Sequence, residues 1–439
     1  MSSHHLHSSL ESKGAGAAAT ARASADDVNV SVESLFDLDD AVVDAMSKGQ
    51  SANLKKSDEF VMNSRGQKIA VRTWPAVTPA ATATTGGASQ SQCHRGVVVF
   101  VHGYCAHSNR PMQPECARQF TAAGYGYMTV DLHGHGYSDG LRAMVEDPWD
   151  LADDLLACVL ALSGASGGSG EWGCDGLASD DSRLLGRQSK INLQYNSYNS
   201  SGGGSGGKDN TSQNLYFIGH SMGGAVVTLA GLALTQLGMS MASNGGGNSS
   251  NSNGGGAAWA SAYAQKHALS LAGIGKSFKG TILLSPLIEI NAPSAARPLF
   301  SLITQCCPQA TLPQFLASSD VDHQIWKSKT YIEYCAMDRW PQNGQGLSYG
   351  GPMRIRTLLS FMNLQRMLLE DLFPLVSYPF LILHDPEDKI TKFSGAVKAT
   401  QLAPSKSTQL IDVPGGLHDM LSNDVHGTMR TMLQWLDQH

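Results

Sequence analysis

Six short apolar runs constrain this 439-residue chain more than any other feature: Val97–Val101, Tyr127–Val130, Leu215–Ile218, Thr281–Leu284, Phe380–Leu383 and Gln409–Val413. Each is bounded by Gly, Pro or polar residues, and most lack the apolar–polar alternation of a strand with one wet face. Such runs predict strands of a parallel sheet covered on both sides. Between them, Gln113–Ala123, Pro148–Leu162, Met222–Leu237 and Val425–Leu436 carry apolar residues at three and four spacing, the period of a helix with one buried face. Glu59–Met62 and Lys68–Trp74 flank an Asn63-Ser64-Arg65-Gly66 turn and read as an antiparallel hairpin that opens the sheet. The alternation of strand and helix gives a doubly wound α/β domain, with a mostly parallel eight-stranded sheet flanked by helices.

Glycine decides how much of the chain takes part. Ser243–Gly256 consists entirely of Gly, Ser and Asn, and Ser163–Thr211 holds 12 Gly and 10 Ser in 49 residues. Segments of this kind bury too little apolar surface to offset the entropy of ordering their backbone. Two disordered insertions are therefore expected, over 163–211 and 240–275, both in connections of the scheme where loop length costs little. A mostly disordered tail over 1–55 precedes a single domain over 56–439. Within the tail only Val32–Met46 has helical periodicity. The stretch 287–374 breaks the rhythm, is long enough for several helices, and carries Phe300, Leu302, Phe315, Trp326, Trp340, Met353, Phe361, Met362 and Met367. It reads as a helical cap over an apolar pocket, because pockets in such sheets open at the carboxyl ends of the strands.

Several function classes drop out. A formal charge of −6, 15% charged residues and the lack of any Lys/Arg run argue against nucleic acid or an anionic surface as an electrostatic partner. Eight scattered cysteines without a C-x-x-C pair suit a reduced compartment better than a disulfide scaffold or zinc site. The first 24 residues, dominated by Ser, Ala, His and Gly, have no apolar core of a signal peptide, so a cytoplasmic location is expected. Leu215–Met239 is nearly uncharged, but its Gly219-His220-Ser221-Met222-Gly223-Gly224 interruption makes it a buried strand, a sharp turn and a buried helix rather than a membrane span.

The pattern G-x-S-x-G occurs five times, centred on Ser138, Ser166, Ser205, Ser221 and Ser348. A nucleophilic serine needs a strained turn from strand to helix that lifts its hydroxyl out of the backbone. Ser166 and Ser205 lie in the low-complexity insertion, Ser348 has no strand before it, and Ser138 follows its strand only after a loop and leads into no helix. Ser221 alone stands between a strand signal and a helix signal. A serine hydroxyl reacts once a base takes its proton and a carboxylate orients that base, in the chain order Ser, acid, His. The acid should follow a late strand, where Asp385, Glu387 and Asp388 all qualify. His418 sits in the loop between the last strand and the last helix and is the expected base; His426, inside that helix, is harder to place. Donors for the tetrahedral oxyanion are expected from the main-chain N–H of Met222, after the nucleophile, and of Tyr104, in the loop that His102-Gly103 opens after the first parallel strand.

With these residues in place the sequence resembles the monoacylglycerol lipase group of the α/β-hydrolase superfamily. The likeness is carried by His102-Gly103 with His107-Ser108-Asn109-Arg110, by Asp131-Leu132-His133-Gly134-His135-Gly136-Tyr137-Ser138-Asp139-Gly140, by Gly219–Gly223, by His384 through Thr391, and by His418, and it covers about Glu59 to Asp437 without the insertions. It implies that Asp388 is the acid, with Asp385 replacing the usual glycine, and that Ser138 belongs to a family loop. It further implies ester hydrolysis of monoacylglycerol, or of a related acyl ester, under a mobile cap and without metal or organic cofactor, with transient contact to membrane or lipid droplet. Arg110 would shape the polar end of the pocket, whereas Ala106 stands where the family often carries an acid. A lysophospholipase or broad carboxylesterase would keep the same triad, and a hydrolase-fold receptor would keep only the fold.

Overall fold

A computed structural model of the chain describes residues 60–74, 76, 95–162, 214–244, 262–292, 294–313, 321–340 and 346–439. The expected tail over 1–55 and the expected insertion over 163–211 lie outside them. The strands are β1 (Phe60–Met62), β2 (Lys68–Trp74), β3 (Gly96–Val101), β4 (Tyr125–Val130), β5 (Leu215–His220), β6 (Phe278–Leu284), β7 (Arg339–Trp340), β8 (Ser348–Tyr349), β9 (Phe380–His384) and β10 (Thr408–Asp412). Eight of them form one sheet in the order β1-β2-β4-β3-β5-β6-β9-β10, while β7 and β8 pair apart from it. β2 pairs antiparallel with β1 and β4; all other neighbours in the large sheet are parallel.

The central strands are apolar throughout because each serves two cores. Val97, Val99, Val101, Phe217, Leu283 and Ile382 face one apolar layer, with Leu155, Leu229 and Leu271. Their neighbours Val98, Phe100, Tyr216, Ile282 and Leu381 face the other, with Phe120, Met429 and Trp435. Side chains alternate across a strand, so two dry faces require an unbroken apolar run. Helices Pro148–Leu162 and Met222–Asn244 cover the first face, and Gln113–Ala122 and Val425–Leu436 the second. β10 departs from the rule: as an edge strand it is largely exposed, Ile411 included.

The second expected insertion, over 240–275, is narrower than its composition implies. The helix that begins at Met222 runs to Asn244, and Ala262–Lys266 and Ala268–Gly275 are helical. Ala264, Ala268, Leu271 and Ile274 are buried against the first layer at helical steps. The stripe is short and rich in alanine, and it adjoins a Gly/Ser/Asn tract that dominates any window drawn across it.

Between β6 and β9 the chain forms helices Arg297–Cys306, Val321–Ile325, Lys329–Met337 and Ile355–Met367. Phe361 joins the main core, Phe300 and Met362 close a small cluster with Ile355 and Leu358, and Trp326 packs with Tyr331 and Cys335. Apart from Phe361, these side chains build the segment's own core. Leu299 and Leu302, by contrast, are exposed.

Candidate active site

Parallel pairing places Val101, at the end of β3, opposite Gly219, near the end of β5. Every expected site residue follows the carboxyl end of such a strand. Ser221 has φ of 53°, a left-handed conformation that a side-chain-bearing residue rarely adopts. Three main-chain bonds hold it: Ser221 N–H donates to Leu284 O at 2.9 Å, and Ser221 O accepts from Gly224 and Leu287 at 2.9 and 2.8 Å. The flanking glycines are obligatory, since a Cβ on Gly219 would lie 2.3 Å from Gly223 O and one on Gly223 would lie 2.2 Å from Val101 O. The turn feeds directly into the helix at Met222.

His418 Nε2 lies 2.9 Å from Ser221 Oγ, and His418 Nδ1 lies 2.8 Å from Asp388 Oδ2. A carboxylate only accepts, so the ring hydrogen belongs on Nδ1, which leaves Nε2 to accept from the serine hydroxyl. The loop that carries His418 is pinned from several sides. Leu417 has φ of 53° and its N–H donates to Asp385 Oδ2 at 2.7 Å. His220 Nε2–H donates to His418 O at 3.0 Å, and Asn423 Nδ2 donates to Gly416 O at 2.8 Å. Asp419, next in the chain, accepts from Trp326 Nε1 at 2.9 Å, so the segment between β6 and β9 also steadies this loop.

Asp388 has no exposed side-chain surface. Burial pushes its carboxyl up, but hydrogen bonds from His384, His418 and Ile390 N–H outweigh it and hold the group well below the ordinary carboxylate range. Burial likewise lowers His220, and it brings His102, in the loop after β3, down to about 4.

The two expected oxyanion donors belong to segments that adjoin the serine. Met222 is the first residue of its helix, where main-chain N–H groups have no intrahelical acceptor. Tyr104 follows Gly103, on which a Cβ would come within 3.1 Å of Ser221 Cβ. Its side chain is engaged elsewhere: the hydroxyl donates to Ala143 O at 3.1 Å and the ring meets Phe361 edge-on at 5.3 Å. Arg110 donates to Cys335 Sγ at 2.6 Å and lies over the Trp326 ring at 5.6 Å.

The remaining candidates are used otherwise. Asp385 binds the main chain of Glu387 and Leu417. Glu387 is an exposed partner of Lys389, and His426 is exposed. Ser138 Oγ accepts from Ala70 N–H and donates to Asp131 O, and Ser348 donates to Asp338; Ser166 and Ser205 lie outside the described residues. Two contacts engage motif histidines that had no expected role. His107 Nε2 meets Asp338 Oδ2 at 2.7 Å, tying the loop after β3 to the segment between β6 and β9. His384 Nε2 meets Asp388 Oδ2 at 3.2 Å. The first joins residues far apart in sequence and leaves no local trace. The second was marked by a histidine at the end of a strand four residues before the acid.

The chain matches the serine aminopeptidase S33 family over residues 92–168 and 251–425, more than half of its length. Tyr104, Asp388 and His418 lie inside the match, and Ser221 lies between its two parts. A curated monoacylglycerol lipase of Mycolicibacterium smegmatis is 38% identical over 65 residues, which is 15% of this chain and 22% of that protein. The match thus spans about a fifth of that relative. Among solved structures, the monoacylglycerol lipase of Paleococcus ferrophilus aligns with a TM-score of 0.51 at 14% identity, over 84% of this chain and 98% of that one. A soluble variant of the Saccharomyces cerevisiae monoglyceride lipase, in complex with a substrate analog, aligns with a TM-score of 0.52 at 18% identity, over 85% and 92%. At these identities the likeness is one of fold, and the fold is that of the α/β-hydrolases.

Proposed function

The chain belongs to the serine aminopeptidase S33 family, and from that premise we propose that it is a serine esterase hydrolysing monoacylglycerol to fatty acid and glycerol through an acyl-Ser221 intermediate. The observation that carries this reading is the unbroken hydrogen-bonded line from Ser221 Oγ through His418 to Asp388. In it His418 Nε2 takes the serine proton as Oγ attacks the ester carbonyl. The N–H groups of Met222 and Tyr104 receive the oxyanion, each worth about 100- to 1000-fold in rate. His418 then gives its proton to the departing glycerol oxygen and activates the water that releases the acid.

The curated relative supports a monoacylglycerol substrate. Burial of about a dozen acyl methylenes would contribute on the order of 10 kcal/mol before immobilisation costs. The segment between β6 and β9 serves as the cap, and its exposed Leu299 and Leu302 supply the transient contact with a lipid surface. Among the described residues no helix is long and apolar enough to cross a membrane.

One observation favours a second reading, a lysophospholipase or broad carboxylesterase. With Ala106 in the loop after β3, the acid brought to that loop is Asp338, and His107, Ser348 and Leu347 N–H already occupy its oxygens. On this reading that loop offers glycerol no unengaged carboxylate among the described residues. Rates on monoacylglycerol, lysophosphatidylcholine and short acyl esters, measured with purified protein and its Ser221→Ala variant, separate the readings. Ser221→Ala is expected to lose all but background hydrolysis, and a fluorophosphonate is expected to label Ser221. Full esterase activity in the variant would end the proposal, and a correctly folded protein that takes no label would instead be a binding protein.

A further inference from the structure

Asp388 is served by two histidines rather than one. His418 Nδ1 and His384 Nε2 lie 2.8 and 3.2 Å from the same oxygen, Oδ2, and Thr391 Oγ1 lies 3.0 Å from it. The main-chain N–H groups of Ile390 and Thr391 donate to Oδ1 at 2.7 and 3.2 Å. His384 is the last residue of β9, fully buried, with Phe393 edge-on at 5.7 Å. Its other ring nitrogen, Nδ1, is buried and has no hydrogen-bond partner among the described residues. An orphaned buried donor costs more than an orphaned lone pair, and Asp388 can only accept. Both ends of the ring thus call for the tautomer with its hydrogen on Nε2.

From this geometry we infer that His384 is a positioning residue: its Nε2–H orients the Asp388 carboxylate and draws off part of the charge that would otherwise act on His418. The inference rests on the catalytic reading of Ser221, His418 and Asp388. The bonds from His384 and from His418 both hold Asp388 below the ordinary carboxylate range. With the His384 donor removed, more of the carboxylate charge falls on His418 and favours its protonated ring. A protonated His418 cannot accept from Ser221, so the acid side of the activity profile moves to higher pH.

The other titratable groups around the pair act from different directions. His220 is the last residue of β5, with its ring 5.1 Å from that of His418. Asp385, in the loop after β9, binds Leu417 N–H. Asp419, on the far side of His418, binds Trp326 and Ser422. None of them has a hydrogen bond to Asp388 Oδ2 among the described residues, and all remain when His384 is replaced.

The test measures the rate at which a fluorophosphonate labels Ser221 in the full-length protein across about pH 5–9. It compares the parent with His384→Leu, which removes the donor, and His384→Gln, whose amide N–H reaches about as far as Nε2. The expected result is an acid limb displaced upward by about 0.5–1 pH unit in His384→Leu and returned to the parental position in His384→Gln. A folded His384→Leu protein with an unmoved limb would show that the ring serves packing alone and would overturn the inference. Should His384→Leu not fold, His384→Asn replaces it, because its shorter amide falls short of Oδ2; the same displacement is expected, and none would again overturn the inference. A parent protein that takes no label would fail earlier, on the catalytic reading itself.

Discussion

At the residue scale, the site contrasts two neighbouring aspartates. Asp385 follows β9 directly and Asp388 comes three residues later, and chemistry alone does not rank them. In the structure Asp388 reaches His418, whereas Asp385 holds the main chain of Leu417, one residue before the histidine. The two substitutions should therefore differ in kind. Asp388→Asn keeps the shape but loses the acceptor that selects the His418 tautomer, and kcat/KM is expected to fall by about 10⁴-fold, as in other serine triads. Asp385→Asn keeps an oxygen for Leu417 N–H and is expected to cost less than about tenfold. Steady-state kinetics on one ester decides the matter, and similar losses in both variants would contradict the assignment.

At the element scale, the helix Arg297–Cys306 separates two jobs of one segment. Phe300 packs inward on Ile355, Leu358 and Met362, while Leu299 and Leu302 stand exposed on the other side. Exposed leucines one turn apart form a small apolar stripe suited to a lipid surface. Leu299→Asp combined with Leu302→Asp is expected to slow hydrolysis of substrate embedded in vesicles by at least about tenfold, because each leucine contributes about 1.5–3 kcal/mol on burial and about 1.4 kcal/mol is a factor of ten. Equal rates of the double variant and the parent on vesicles would remove this helix from the interface.

At the scale of the whole molecule, buried ionisable groups set how stability responds to acid. Burial lowers His102 to about 4 and also lowers His135 and His220. The unfolded chain binds protons at these positions from about pH 6.5 downward while the folded chain does not. Their contribution is therefore complete above the ordinary histidine value and is lost as pH falls toward the folded value, at about 3 kcal/mol for His102 alone. Asp131, Asp338, Asp388 and Asp419 are held below the ordinary carboxylate value, against the burial that pushes each up. Their contribution survives to about pH 4 and goes only below it. The melting temperature is thus expected to decline from about pH 6.5 to 4 and then to drop more steeply. A melting temperature that stays flat from about pH 7 to 5 would show that the buried histidines do not govern this window.

Strand and helix order was legible in the sequence because burial on both faces imposes an unbroken apolar run, as in Val97–Val101, and helix burial imposes its three-and-four period. The turn at Ser221 was legible too, since its backbone admits only glycine on either side at 219 and 223. The helices at Ala262–Gly275 were not, because small buried alanines give a weak signal beside a long polar tract. Local pattern named Ser221 and His418 and proposed three acids for them, but a distance between side chains on separate strands has no local trace. The parallel pairing of β9 with β10 brought the loops that carry Asp388 and His418 side by side, in the arrangement the resemblance implied, and set His384 on the same carboxylate, while the segment between β6 and β9 tied His107 to Asp338. The sequence by itself therefore determined which elements form and which residues carry reactive groups. The tertiary structure decided which of those groups meet, because that depends on strand order and register across some hundreds of residues.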